Sequence, residues 1–226
     1  MPIEFEPTAY IKKYLESQNE RHSRLKAWEF IYEYIWHENC QWNDLTNDAN
    51  LDKTALHIGF YLANWGMFRG SSALLLHNNL ELFRELAVVL FTGAGATLHN
   101  LSLTDFAPYE PNLKQNQATF NEVIRQIEML GTKISWTDTL KSKILMGTWG
   151  ECPALDTYYT TGRRKLFPFV RGLSEVSGKG MTSVYNLIYG QKLKFPTVFT
   201  LKYKYSYPPG KLLDMALFQY GFNPDL

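Results

Sequence analysis

Apolar residues recur every three or four positions through the first half of the chain, which is the spacing of one face of an α-helix. This pattern predicts helices over 9–17, 23–37, 52–68, 74–90 and 117–130. Gly93 and Gly95 interrupt the pattern and are expected to end the fourth of these helices. The stretch 102–117 contains two prolines and is expected to be a polar loop.

The second half of the chain predicts further, shorter helices, over 139–146, 184–189 and 212–220 and from Asp156 towards Arg164. Residues 192–207 alternate basic or polar side chains with apolar ones, so a short β-hairpin near 192–207 is the only strand element that we predict. We find no repeat, low-complexity tract or linker. The expected architecture is one compact, mainly α-helical domain over 1–226.

The composition favours a globular protein with a large core, because 45% of the residues are hydrophobic and 15% are aromatic. No run of 18 apolar residues is present, and the first residues lack the basic and apolar regions of a signal peptide. Two cysteines, Cys40 and Cys152, make a poor disulfide framework. We therefore expect a soluble, cytoplasmic, monomeric protein that does not associate with membranes.

Charge is distributed unevenly along the sequence. Residues 1–138 carry 11 Lys and Arg against 17 Asp and Glu, whereas residues 139–211 carry 12 Lys and Arg against three acids. An acidic helical part, 1–138, thus precedes a basic part, 139–226. The asymmetry indicates a polyanionic partner for the basic part, although a solvated basic surface would give the same composition.

Several common chemical motifs are missing from the sequence. Gly93-Ala94-Gly95 lacks the third glycine and the βαβ unit of a dinucleotide-binding turn. The five histidines do not pair with Cys, Asp or Glu at metal-ligand spacings, and neither a phosphate-binding P-loop nor a Gly-x-Ser-x-Gly elbow is present. We expect neither a metal nor a cofactor.

The stretch 130–164 carries the most specific pattern, and it reads LGTKISWTDTLKSKILMGTWGECPALDTYYTTGRR. A hairpin-like segment precedes a helix, a glycine and a proline loop follow, and Asp156-Thr157 opens the next helix. This order resembles the helix-hairpin-helix DNA glycosylases (the HhH-GPD superfamily), of which the chain would be a divergent member. Thr139 matches the threonine that opens the second helix of the hairpin, Gly150 the glycine that ends it, and Asp156, 17 residues after Thr139, the catalytic aspartate.

The resemblance implies that Asp156 is the catalytic carboxylate, since breaking an N-glycosidic bond places positive charge on the sugar. Either Ser135 or Thr137 is expected to cap the helix that follows the hairpin. The hairpin, the helix ends and nearby cations would hold one DNA strand by its phosphates. The predicted DNA-binding residues are Ser135, Thr137, Thr139, Lys141, Lys143, Arg163, Arg164 and Lys165.

A glycosylase must also extrude the base from the duplex, which requires a wedge and an aromatic pocket. The end of the helix over 52–68 is the first candidate, and aromatic residues near Asp156 are the second. Small residues at that helix end, Gly66, Gly70, Ser71 and Ser72, would leave room for a bulky base. The predicted wedge or pocket residues are Asn64, Trp65, Met67, Arg69, Trp149, Tyr158 and Tyr159.

Two departures from the family pattern refine the expectation. No glycine stands at the hairpin tip, Ile134-Ser135-Trp136. Asp138 stands where lyase-competent members carry a lysine, which implies a monofunctional glycosylase. The expected partner is double-stranded DNA, and the expected target is a modified or damaged base, with a hypermodified cytosine of phage DNA, and hence phage defence, as the candidate. The alternatives are a non-catalytic helical nucleic-acid-binding module and a helical protein-interaction or toxin-like protein.

Overall fold

The computed structural model describes residues 5–37, 41–70 and 72–224. Within these ranges the chain forms eleven α-helices and no β-strand, so the predicted mainly α-helical fold is confirmed. None of the helices in the described ranges is both long and apolar enough to cross a membrane. The helices are α1 (Pro7–Ser17), α2 (Arg24–Ile35), α3 (Leu51–Asn64), α4 (Ala73–His77), α5 (Leu80–Phe91), α6 (Gly93–His99), α7 (Leu113–Glu128), α8 (Asp138–Thr148), α9 (Thr157–Leu166), α10 (Gly178–Tyr185) and α11 (Pro209–Phe222).

Side-chain caps begin the two helices that matter most for the site. The Thr137 side chain accepts a hydrogen bond from the backbone N–H of Leu140 at the start of α8. Asp156 does the same for the N–H of Tyr159 at the start of α9. Each cap satisfies one of the backbone donors that a helix N-terminus leaves unpaired. The sequence prediction of Asp156 as a cap is confirmed, and Thr137 rather than Ser135 caps α8.

Helix boundaries differ from the prediction at several points, and α7 begins at Leu113, inside the stretch 102–117 that was predicted to be a loop. The continuous helix predicted over 74–90 is two helices, because Asn79 caps a new start and accepts the N–H of Leu82. Gly93 has φ +50° and follows the end of α5, as a helix-ending glycine does, but it also opens α6, which the pattern did not predict. α10 begins at Gly178, six residues before the predicted start.

The β-hairpin predicted near 192–207 is reduced to one antiparallel bridge, between Phe199 and Ser206. The backbone N–H groups of Lys202 and Tyr203 both donate to Oε1 of Glu33 at 2.9 Å. These two residues lie in the turn between Thr200 and Tyr205, so Glu33 holds the turn. The pairing ends beyond Tyr207 because Pro209, which has no N–H group, begins α11. The alternating pattern encodes a loop anchored on α2 instead of a pair of strands.

α8 lies at the centre of the core. Every residue from Leu140 to Thr148 is buried, including two lysines. The indole N–H groups of Trp28 and Trp36 donate to the carbonyls of Met146 and Thr148, each at 2.9 Å. Because these bonds fix the end of α8 against α2, they also fix the start of the loop that leads to Asp156.

α9 is held by close packing along α11. A Cβ atom on Gly162 would lie 2.2 Å from the carbonyl oxygen of Leu217, and one on Gly221 would lie 1.9 Å from that of Tyr158. Only glycine permits backbones to approach this closely. The N-terminus of α9, which carries Asp156, is therefore positioned by backbone-to-backbone contact with α11.

Candidate active-site cleft

A cleft of about 670 Å³ opens where α1, α2, α8, α9 and α11 meet the turn that follows α3. Its lining includes five residues that the sequence predicted for the site, drawn from three separate segments of the chain. Asp156 and Tyr158 come from the start of α9, and Lys143 comes from α8. The turn after α3 contributes Trp65 and Arg69.

Asp156 is one of two carboxylates that line this cleft, and the other is the exposed Glu20. Oδ1 of Asp156 accepts the N–H of Tyr159 at 2.9 Å, and among the described residues no other group donates a hydrogen bond to this carboxylate. Oδ2 is therefore not tied to the protein. The Asp156 carboxylate lies at the N-terminal, positive end of the α9 dipole.

Three hydrogen bonds fix the position of the loop that precedes Asp156. Thr139 Oγ1 donates to the carbonyl of Leu155 at 2.8 Å, and the Leu155 N–H donates to Ser142 Oγ at 2.9 Å. The N–H of Ala154 donates to Asp214 Oδ1 at 3.1 Å. Thr139 is therefore joined directly to Leu155, the residue before Asp156. Thr139 and Asp156 are the two residues whose spacing resembles that of the glycosylase family.

Lys143 brings a buried cation to the cleft. Its Nζ donates to the carbonyl of Trp65 at 2.8 Å and lies 5.9 Å from the centre of the Trp65 ring. Burial lowers the pKa of the Lys143 amine, and the negative charge of Asp156 acts in the opposite direction. Lys143 thus links α8 to the turn that carries Trp65.

Lys211 and Asp214 lie behind the cleft as a fully buried pair on α11, with Nζ and Oδ2 3.4 Å apart. Lys211 Nζ also lies 5.0 Å from the centre of the Trp65 ring. Burial lowers the pKa of Lys211 and raises that of Asp214 to about 6. Sequence reasoning missed this pair. Its signal was two charged residues three positions apart in the otherwise apolar run 211–217.

Tyr14 of α1 was also missed. Its ring lines the cleft and is almost fully buried, and Lys211 Nζ lies 5.8 Å from its centre. Burial raises the pKa of the Tyr14 hydroxyl well above its usual value, and the charges of Asp214 and Asp156 add to the effect. No local motif marks Tyr14, because Tyr10 and Tyr14 of α1 have an ordinary helical spacing.

A smaller depression of about 270 Å³ adjoins the cleft and shares Gly66 and Arg69 with it. It is formed where the loop between α7 and α8 faces the turn after α3. That loop turns at Gly131, which has φ +53° and whose carbonyl accepts the N–H of Ile134 at 2.8 Å. Four more of the predicted site residues line the depression: Met67, Ser135, Thr137 and Thr139.

The predicted phosphate-binding cations do not gather around Asp156. Lys141 is buried and its Nζ contacts Glu128 at 2.5 Å and Asp138 at 3.0 Å, so acidic neighbours already neutralise it. Arg163, Arg164 and Lys165 lie in the last turn of α9. They are seven to nine residues from Asp156, or about 10 Å or more along the axis at 1.5 Å per residue. The structure therefore corrects the expectation that these four cations surround the carboxylate.

The structure also corrects the roles expected of Trp149 and Tyr159, since both side chains lie in the core and are only 1% exposed. Trp149 packs against Phe106 and Phe120, and its indole donates to the carbonyl of Leu101 at 2.7 Å. Neither ring is open to a base. Asn64 lines a separate depression beside the cleft, and Ser71 and Cys40 lie outside the described residues.

Comparisons with protein-family models, curated proteins and solved structures give no match for this chain. The site is therefore interpreted on its own geometry. It holds a fixed carboxylate at a helix N-terminus, a buried amine, and aromatic and cationic side chains around an open cleft.

Proposed function

We propose that this protein is a monofunctional DNA glycosylase that hydrolyses the N-glycosidic bond of a modified or damaged base. One observation carries the proposal. Asp156, the residue at the position of the catalytic aspartate in the resemblance, lines a cleft together with Trp65, Arg69, Lys143 and Tyr158. These are side chains of the kinds that recognition of an extruded nucleotide requires.

The chemistry follows from the carboxylate and its surroundings. As the bond between C1′ of the sugar and the base nitrogen breaks, its electron pair leaves with the base and C1′ becomes cationic. The Asp156 carboxylate stabilises that charge, and its unpaired Oδ2 accepts a proton from the water that attacks C1′. The departing base takes up a proton, and the products are a free base and an abasic sugar.

The cleft suits an extruded nucleotide in size and composition. Its volume of about 670 Å³ lies within the range of small-molecule sites. The Tyr158 ring is 41% exposed and offers a surface for stacking, and Trp65 also lines the cleft. Arg69 and Arg24 supply positive charge for the flanking phosphates.

A bulky base is the favoured substrate class. Gly66 has a positive φ and lacks a side chain where the cleft meets its neighbouring depression. A base that carries a polar adduct would extend into that space, where Arg69 can donate hydrogen bonds. A hypermodified cytosine of phage DNA has these properties, and the enzyme would then act in phage defence.

A second candidate function is a non-catalytic nucleic-acid-binding module. The hydrogen bond from the Tyr159 N–H to Asp156 favours it, because a capping role alone accounts for an aspartate at this position. The two functions predict the same binding surface. They differ in whether a base is removed from the bound DNA.

The test is abasic-site formation, measured by alkali-induced strand cleavage. The substrates are DNA from a phage with glycosylated cytosines, the corresponding unmodified DNA, and duplexes that contain uracil or an alkylated purine. We expect cleavage of the modified DNA alone. Cleavage of the uracil or alkylated-purine duplex would indicate a function in DNA repair instead. Binding without cleavage of any substrate would support the non-catalytic module.

A further inference from the structure

Two more depressions continue from the cleft along α2 and α3. The first, of about 510 Å³, shares His22 and Ser23 with the cleft and lies between the rings of Phe30 and Phe60. The second, of about 270 Å³, shares Phe30 with the first. Together they form one continuous surface groove, which we call the α2–α3 groove.

A stack of three flat rings lies in the floor of the α2–α3 groove. The His57 ring lies between Tyr34 and Phe30, with centroid distances of 3.8 and 5.0 Å and interplanar angles of 9° and 11°. Burial lowers the pKa of His57, which favours the uncharged ring. The stack ends at Phe30, which is 57% exposed, and Phe60 across the first depression is 56% exposed. Large apolar rings this open to solvent, in a concave surface, indicate a binding site.

Four cations line the groove, and the neighbouring acids Glu29 and Glu33 are buried, with Lys26 Nζ 3.7 Å from Glu29 Oε2. Oε1 of Glu33 accepts two backbone N–H groups of the 192–207 loop, and Oε1 of Glu29 accepts the Tyr207 hydroxyl at 2.7 Å. The cations extend along the length of the groove: Arg21, Lys26, Lys53 and Lys202.

We propose that the α2–α3 groove binds a single-stranded segment of nucleic acid, with bases stacked on Phe30 and Phe60 and phosphates held by the cations along the groove. Exposed aromatic rings that alternate with cations are the arrangement by which proteins bind single strands without reading sequence. An apolar helix of another protein would bury the same rings but would leave the cations unneutralised. The proposal goes beyond base excision, because it uses none of the residues that line the catalytic part of the cleft.

The experiment measures fluorescence anisotropy of a labelled oligothymidylate with the full-length protein. We expect Phe30→Ala and Phe60→Ala each to weaken binding about tenfold, because stacking on one ring contributes roughly that much. Phe30→Tyr should retain the affinity of the wild type, whereas Phe30→Leu should not, since leucine keeps the apolar contact but removes the flat ring. The matched control is Phe169→Ala, at an exposed phenylalanine outside the groove. Arg21→Ala should reduce the slope of log affinity against log salt by about 0.7.

Three results would overturn the proposal. These are no binding of the oligonucleotide by the wild type, equal loss in the Phe169 control, and full affinity in Phe30→Leu, which would indicate an apolar protein partner. Phe30 and Phe60 are exposed, so their variants are expected to fold, and circular dichroism checks this. Oligonucleotide binding is measured without base excision, so failure of base excision and failure of the groove are separate outcomes.

Discussion

The pH dependence of stability at Glu151 tests how the loop before Asp156 is held. Glu151 is 9% exposed, and its Oε2 has no hydrogen-bond partner among the described residues. Burial raises the pKa of this carboxyl from 4.5 to about 7, against the effect of backbone hydrogen bonds from Leu103 and Gly210. The folded protein therefore binds the Glu151 proton more tightly than the unfolded chain does.

The sign and size of the effect follow from linkage. A carboxyl with a raised pKa in the folded state stabilises the fold most below its unfolded pKa, and that stabilisation is lost as pH rises to the folded pKa. The rise of the Glu151 pKa from 4.5 to about 7 corresponds to a stabilisation on the order of 3 kcal/mol. Most of this stabilisation is lost between pH 5 and pH 8. Glu151→Gln removes the titration, so the variant should gain roughly 2–3 kcal/mol relative to wild type over that interval.

The assay is urea unfolding of wild type and variant at several pH values from 5 to 8. Taking the difference between the two proteins cancels the other titrating groups. Glu85→Gln, at an exposed glutamate of α5, is the matched control and should follow the wild-type profile. A difference that stays constant with pH, or that grows towards acid, would refute the reasoning.

Three further predictions concern the site. Asp156→Asn should keep the melting temperature within about 1 °C, because asparagine caps a helix as well as aspartate does. Asp156→Ala should lower the melting temperature by about 2–4 °C. Equal losses of melting temperature in the two variants, measured by calorimetry, would contradict the capping role. Gly221→Ala should cost about 1–3 kcal/mol in urea unfolding, because its Cβ would lie 1.9 Å from the Tyr158 carbonyl, while Gly190→Ala, with open space around it, should be neutral. Borohydride should trap no covalent DNA adduct; an adduct that disappears in Lys143→Met would make that amine a nucleophile.

The sequence was sufficient for the helical fold because helical periodicity and capping are local. Thr137 and Asp156 begin helices through contacts three residues away, which a sequence pattern can show. The break at Asn79 is local as well, but the apolar pattern continues across it and conceals it. The position of the 192–207 loop is different, because the backbone of its turn bonds to Glu33, more than 160 residues earlier. No local pattern contains that partner.

The site was partly predictable for the same reason. Asp156, Trp65 and Arg69 were found because a spacing and a helix end marked them. The burial of Lys141 and Lys143 was not found, because it depends on the position of α8 at the centre of the core. Charge counting treats every lysine as exposed. It therefore assigned to a DNA-binding surface two lysines, Lys141 and Lys143, that are in fact buried.

The most direct test of the central claim is the release of free base in a single turnover. Protein in excess is mixed with DNA that carries the modified base, and mass spectrometry follows the free base and the abasic sugar. We expect the two products in equal amounts with wild type, and a rate at least about 100-fold lower with Asp156→Asn at unchanged DNA affinity. Release of free base at the wild-type rate by Asp156→Asn, or no free base from any substrate that the protein binds, would contradict the account.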